Sequence, residues 1–256
     1  MNTPLLKILN LSLTRGGRPL FQDLSFELAA GELLGLIGPN GAGKTSLLET
    51  LLGLRSFTQG HIEIQGAALS SWARPQLAKV LAYLPQNPEI HWPLKVEHFV
   101  ELGLLPYAAA EQMTKRSAIE EIMLRTATLE LASKRIDQLS GGERARVLLA
   151  RALAQQTPVL FADEPIANLD PFYQLAVMTI LKDYCQAGNS AVAVLHDLNF
   201  AARFCDRILL LAPDQIPLLG SPDEVLTAEH MAQAFRVTLI QDPAVLAGLR
   251  IPGHAL

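Results

Sequence analysis

The stretch "GLIGPNGAGKTSLLETLLGL" constrains the fold more than any other part of the chain. Gly38, Gly43, Lys44 and Thr45 fit the pattern G-x-x-x-x-G-K-[ST]. An apolar run precedes the pattern and a helical pattern follows it, the strand–loop–helix setting that such a loop requires. Its glycines let successive backbone N–H groups curl around phosphate oxygens, and the positive end of the following helix dipole adds to the attraction. The candidate phosphate cradle is therefore Gly38, Pro39, Asn40, Gly41, Ala42, Gly43, Lys44, Thr45 and Ser46. Lys44 suits the β- and γ-phosphates, and the Thr45 hydroxyl suits Mg²⁺. A glycine-rich turn with no ligand is the alternative, and the full match in residues and setting outweighs it. Alone, the motif specifies only a nucleoside triphosphate.

The rest of the chain alternates in the same manner. Strand patterns at Leu5–Leu13, Leu24–Leu28, Glu32–Ile37, His61–Ile64, Leu81–Leu84, Val159–Ala162, Ser190–Leu195 and Arg207–Leu211 are interleaved with helical ones. The helical patterns lie at Lys44–Leu52, Gly142–Gln155, Pro171–Ala187 and Leu198–Cys205. This order predicts an α/β fold with a mostly parallel sheet, and the quick succession of strands at the front predicts a small antiparallel β addition. Between Asn87 and Gln138 strand patterns vanish, which predicts an inserted α-helical subdomain. The expected division is 1–86 and 139–236 for the core, 87–138 for the insertion and 237–256 for a tail. With 256 residues, half of them hydrophobic, the chain is long enough for such a core. The formal net charge of -4 argues against nucleic acid as a partner. Cys185 and Cys205 are too few for a disulfide framework and read as buried small residues. No signal peptide is expected at the N-terminus, and no run approaches the roughly 20 apolar residues that cross a bilayer, so the chain reads as soluble and intracellular.

In "VLFADEPIANLD" an apolar run ends in two adjacent carboxylates, Asp163 and Glu164. An acid at the tip of a strand beside a phosphate loop holds the magnesium in phosphate-loop enzymes, a role that suits Asp163. Glu164 is then left beside the metal and the γ-phosphate, where a carboxylate can orient a water and accept its proton. An ordinary loop acid is the alternative for either residue.

The segment "QLSGGERARVLLARAL" places a serine and two glycines at a helix start, a second surface suited to phosphate. The order of motifs is the phosphate loop, "LPQ", "LSGGE", "DEP", "NLD" and "VLHDLN". That order closely resembles the ATP-binding-cassette (ABC) ATPases from about Leu5 to Leu226. The resemblance implies ATP and Mg²⁺ as cofactors. It implies that Gln86 touches the metal or the attacking water, and that Ser140, Gly141 and Gly142 contact the γ-phosphate of ATP held by another subunit. It further implies that Asp170 belongs to a loop crossing the dimer, and that His196 hydrogen-bonds the γ-phosphate and holds the catalytic glutamate. One phosphate loop and one signature per chain imply a head-to-tail pair with a second copy. The sequence departs from the family pattern at Arg15, where many members carry an aromatic that stacks on adenine. A guanidinium can also stack on a base, or Arg15 is a solvated turn residue. Glu143 and Ile166 replace a commoner glutamine and threonine.

Within the family, "VEHFVELGLLPYAA" is similar to importers of iron–siderophores, haem and vitamin B12, through Gly103, Pro106 and Tyr107; Leu104 departs from an arginine often found there. That similarity implies integral-membrane permease subunits as partners, a solute-binding protein acting indirectly, and a peripheral place on the cytoplasmic face of the inner membrane. Ile90, Trp92, Phe99 and Tyr107 are candidate permease contacts, with packing inside the helical insertion as the alternative for each. Another ABC transporter class, a soluble non-transport ABC ATPase and a kinase sharing the phosphate loop are the competing readings.

Overall fold

A computed structural model describes residues 4–236 apart from 87, 89, 91, 92 and 214, so the expected tail and Trp92 lie outside the described residues. The chain runs β1 (Leu6–Arg15), β2 (Arg18–Leu28), β3 (Leu33–Ile37), α1 (Lys44–Leu51), β4 (Gln59–Ile64), β5 (Ala67–Ala68), α2 (Arg74–Leu77) and β6 (Leu81–Leu84). Three short helices follow, α3 (Val96–Glu101), α4 (Ala109–Arg116) and α5 (Ile119–Arg125). The chain then continues through α6 (Gly141–Ala154), β7 (Val159–Asp163), α7 (Pro171–Gln186), β8 (Ser190–Val194), α8 (Leu198–Phe204), β9 (Arg207–Leu210), β10 (Leu218–Gly220), α9 (Pro222–Val225) and α10 (Ala228–Phe235).

Two sheets form. The first has the order β2-β1-β4-β5 and is antiparallel. The second has the order β10-β9-β3-β8-β7-β6, parallel throughout except for the β10 edge. Every residue of β3, β7 and β8 is buried, which is why these strands read as unbroken apolar runs. Their side chains still divide by period two. Leu33, Ile37, Leu160, Ala162, Ala191 and Ala193 face a core shared with α6 and α7. Leu34, Leu36, Val159, Phe161, Val192 and Val194 face a second core shared with α1 and the antiparallel sheet. The six-stranded sheet is thus covered on both faces, and the loops at the C-terminal ends of its parallel strands are left open for a site.

The antiparallel part is larger than the sequence suggested. β2 starts at Arg18, six residues before the expected Leu24. Pro19 and a left-handed Asp23 (φ 51°) break the alternation there, and the β1–β2 register shifts three times. The short β5 and β10 gave no periodic signal.

The helices of the insertion do not stand apart. α3 and α5 pack on α6, and their apolar residues Val96, Val100, Ile119 and Met123 share one cluster with the sheet. Gly103 sits where the chain after α3 presses on α6: a Cβ there would lie 2.5 Å from the Arg151 carbonyl and 2.9 Å from the Ala154 Cβ. Tyr107 anchors the same contact. Its hydroxyl donates to the Gln155 carbonyl (2.7 Å), and the Gln155 amide donates to the Ala78 (2.5 Å) and Leu81 (3.0 Å) carbonyls beside β6. Tyr107 and Phe99 are both buried, so as candidate permease contacts they are corrected to packing residues. Cys185 and Cys205 are free and buried, and burial raises both thiols to about 12.

Candidate nucleotide site

The phosphate loop leaves the end of β3 and enters α1. Gly38 has φ 149°, and a Cβ there would lie 2.0 Å from the Leu211 carbonyl, so only glycine fits. Gly43 (φ 96°) forms the left-handed N-cap of α1 and leaves the helix N–H groups without a side-chain cap, free for an anion. Lys44 is buried, and its ammonium donates to the carbonyls of Gly38 (2.7 Å) and Pro39 (3.0 Å). Burial lowers its pKa, and the charges of Glu164 and Asp163 oppose that effect. Asn40, Gly41 and Thr45 are exposed, whereas Ala42 and Ser46 pack inward.

β7 delivers the carboxylates. Asp163 is the last residue of the strand and only 2 % exposed. Burial raises its pKa, the neighbouring Thr45 side chain pulls it down, and Glu164 raises it again. Its Oδ1 is buried without a hydrogen-bond partner. A buried carboxylate oxygen in that state wants a cation or a donor. Among the described residues no group of three His, Cys, Asp or Glu forms a metal cage. One carboxylate beside a hydroxyl suits Mg²⁺, which takes few protein ligands and completes its shell with water and substrate phosphate. The residues present therefore fit the ion.

Glu164 turns away from the strand because its backbone is left-handed, with φ 53°. That turn resolves how two neighbours in an all-buried strand can be acidic: Asp163 stays in the sheet and Glu164 leaves it. The Glu164 carboxylate lies 2.7 Å from His196 Nε2, just beyond the end of β8. Both groups keep solvent access. Their meeting joins two motifs that lie 32 residues apart in sequence.

A groove of about 620 Å³ opens beside this pair, lined by Gln86, Asp163, Glu164, Asn168, Gly141 and Arg144 among others. Gln86 is exposed at the end of the β6 segment. Ser140 caps α6: its hydroxyl accepts from the Glu143 N–H (3.3 Å), and the Glu143 carboxylate accepts from the Ser140 N–H (2.9 Å). The departure to glutamate thus preserves a capping box, which either residue type completes. A Cβ on Gly141 would meet nothing within 4 Å. Its own chain does not require glycine there. Asp170 caps α7 by accepting from the Tyr173 N–H (3.1 Å), so its role in this chain is helix initiation. Arg15 is exposed at the end of β1, next to the Gly16–Gly17 turn. Sequence reasoning missed Arg144, which donates to the Pro88 carbonyl (2.5 Å) and ties the signature helix to the segment after Gln86. No spacing rule pointed to it, because its partner is a main-chain atom 56 residues away.

These features together define a phosphate-loop ATPase with a helix-start signature. The family model for the ABC transporter matches residues 21–167. The hemin import ATP-binding protein HmuV of Bordetella pertussis is 38% identical over 256 residues, covering 96% of each chain. HmuV of Pseudomonas aeruginosa is 39% identical over 241 residues, covering 92% of this chain and 94% of that one. Among solved structures, a transporter described as of the metal-chelate ABC type superposes with a TM-score of 0.78 at 25% identity, covering 92% of this chain and 90% of that one. An Atm1-family exporter superposes at 0.76 with 23% identity, covering 88% of this chain and 40% of that one, so the fold alone does not tell import from export. The chain belongs to the ABC transporter family, as an ATP-binding ATPase subunit.

Proposed function

We propose that this chain energises import of haem or a related metal chelate, as a head-to-tail pair beneath a separate permease on the cytoplasmic face of the inner membrane. The Glu164–His196 contact beside the unpartnered Asp163 oxygen is the observation that carries the catalytic part. The hemin-import relatives, which match nearly the full chain, support the cargo class. A solute-binding protein that delivers the chelate enters only through the permease. The helical insertion, 87–138, is read as the part nearest the membrane partner.

In this reading the loop N–H groups and Lys44 hold the triphosphate, and Thr45, Asp163 and Gln86 are the residues that would hold Mg²⁺. Bound there, the ion would supply charge that neutralises the developing phosphate charge. Glu164 orients a water for in-line attack and accepts its proton, while His196 fixes the carboxylate. Ser140, Gly141 and Gly142 of a second copy close over the γ-phosphate. Arg15 is assigned to the base end of the nucleotide, stacked or solvated.

Reconstitution with the permease in vesicles tests this. Haem-loaded binding protein should stimulate ATP hydrolysis and chelate uptake together. Stimulation by a different solute class would overturn the cargo, and ATPase activity with no permease assembly would favour a non-transport ABC ATPase.

A further inference from the structure

We infer that the cavity between α5, α6 and α7 is an effector site for a small monocarboxylic acid with an apolar body, held by Arg146 and slowing the ATPase when bound.

The cavity has a volume of about 230 Å³. Leu124, Leu149, Phe172, Ala176 and Ile180 supply its apolar lining. Leu124 and Phe172 are 59% and 51% exposed, large apolar side chains held out to solvent. Two arginines line the same space and no Asp or Glu does, although the whole chain is net negative. Arg125 has an acid of its own, Asp183 at 3.6 Å. Arg146 has none among the described residues, and it is only 5% exposed. One of its N–H groups donates to the carbonyl of Ala127, a left-handed residue (φ 49°) just past α5. The Tyr173 ring covers one face of the guanidinium at 4.1 Å. Its Nε is buried without a hydrogen-bond partner. A buried guanidinium without an anion is unfavourable, and a planar fork is suited to a carboxylate. Stacking on a ring leaves the edge of that fork to donate in its own plane.

The size of the cavity sets the rest of the ligand. An apolar cavity of about 150 Å³ holds benzene, so this one takes a single ring or a short alkyl chain together with its carboxylate. A second charge would be left against Leu149 and Ile180 without a partner. The position accounts for the effect. Leu124 belongs to the insertion, whereas Tyr173 and Ala176 belong to α7 of the core. The Tyr173 N–H is the donor to Asp170, and Arg146 lies on the helix that Ser140 caps. An acid bound here braces insertion against core and slows any step in which one moves past the other.

The test titrates the full chain in a calorimeter with benzoate, hexanoate and the neutral isostere benzamide. Both acids should bind once per chain, with benzamide at least about tenfold weaker than benzoate. Arg146→Gln should weaken benzoate by about tenfold or more, and Arg146→Lys by less. Ala176→Leu fills the cavity but keeps the arginine, and it should abolish binding. Saturating benzoate should slow phosphate release by the wild-type chain about fivefold and leave the rate of the Ala176→Leu chain unmoved. Failure of both acids to bind, or equal binding of benzamide, overturns the site. Displacement of benzoate by inorganic phosphate overturns the preference for an apolar acid. Binding with unchanged phosphate release overturns the effector role. A Phe172→Cys chain that cross-links to a second copy in the presence of ATP puts that copy over the cavity and overturns a free site. Benzamide and Ala176→Leu keep the question decidable if Arg146→Gln does not fold.

Discussion

Lys44 and Asp163 are opposite charges kept in a buried place, and burial penalises each in its charged form. The sign for Asp163 follows from linkage. Its folded pKa lies above the ordinary 3.8, so the native state holds the proton longer than the unfolded one. Ligand-free stability from this group therefore falls as pH rises from 3.8 through the raised folded value, and stays lower above it. Asp163→Asn should raise the melting temperature of the nucleotide-free chain, by about 2–4 °C for each kcal/mol relieved, while abolishing Mg²⁺-dependent turnover. Calorimetry without nucleotide, paired with phosphate release, measures both, and an unchanged or lower melting temperature contradicts the argument. Glu164→Gln removes the proposed proton acceptor but keeps shape and position. It should bind ATP normally and lose about 10²–10⁴ in rate. Brisk turnover in that variant would remove Glu164 from the role of base.

Among the elements, α6 does most to connect the parts. It opens on Ser140, packs on α3 and α5, and closes near the Tyr107–Gln155 contact. Gly103→Ala should destabilise the chain by about 1–3 kcal/mol, because the added methyl meets main chain and Ala154. Urea titration reads that loss directly; an unperturbed midpoint means the helices can part without cost. This scale also shows where sequence stops informing. The phosphate loop and the acid pair were legible because residue type, spacing and neighbouring periodicity agreed. The Glu164–His196 meeting was legible only through family resemblance, since its partners sit on different strands. Tyr107 pointed outward as a candidate contact, yet its ring is buried and only its hydroxyl needs a partner. Arg151 in the last turn of α6 looks like an ordinary complement to the helix dipole; the packed structure shows it half-buried.

For the whole molecule, the informative residue is Gly141, whose missing side chain nothing in its own chain demands. If the γ-phosphate of a second copy's ATP approaches there, Glu164→Gln with ATP and Mg²⁺ should run as a dimer by light scattering. Adding Gly141→Asp to that variant should return it to monomer with stability changed by no more than about 0.5 kcal/mol. A dimer that survives the added charge places the second copy elsewhere. Among the described residues no helix is long and apolar enough to cross a membrane.

Pro85 forms part of the wall of two grooves, one that also holds Asp163 and Glu164 and one facing outward. Its ring removes a backbone rotation at that point. In mechanical terms the segment is a stiff link rather than a spring: displacement on the outer side reaches Gln86 across a single peptide bond instead of being absorbed. Pro85→Gly would make the link compliant. The expected phenotype is a slipping clutch, with ATP still consumed and fewer molecules of chelate moved per ATP, measured as the ratio of uptake to phosphate release in the same vesicles.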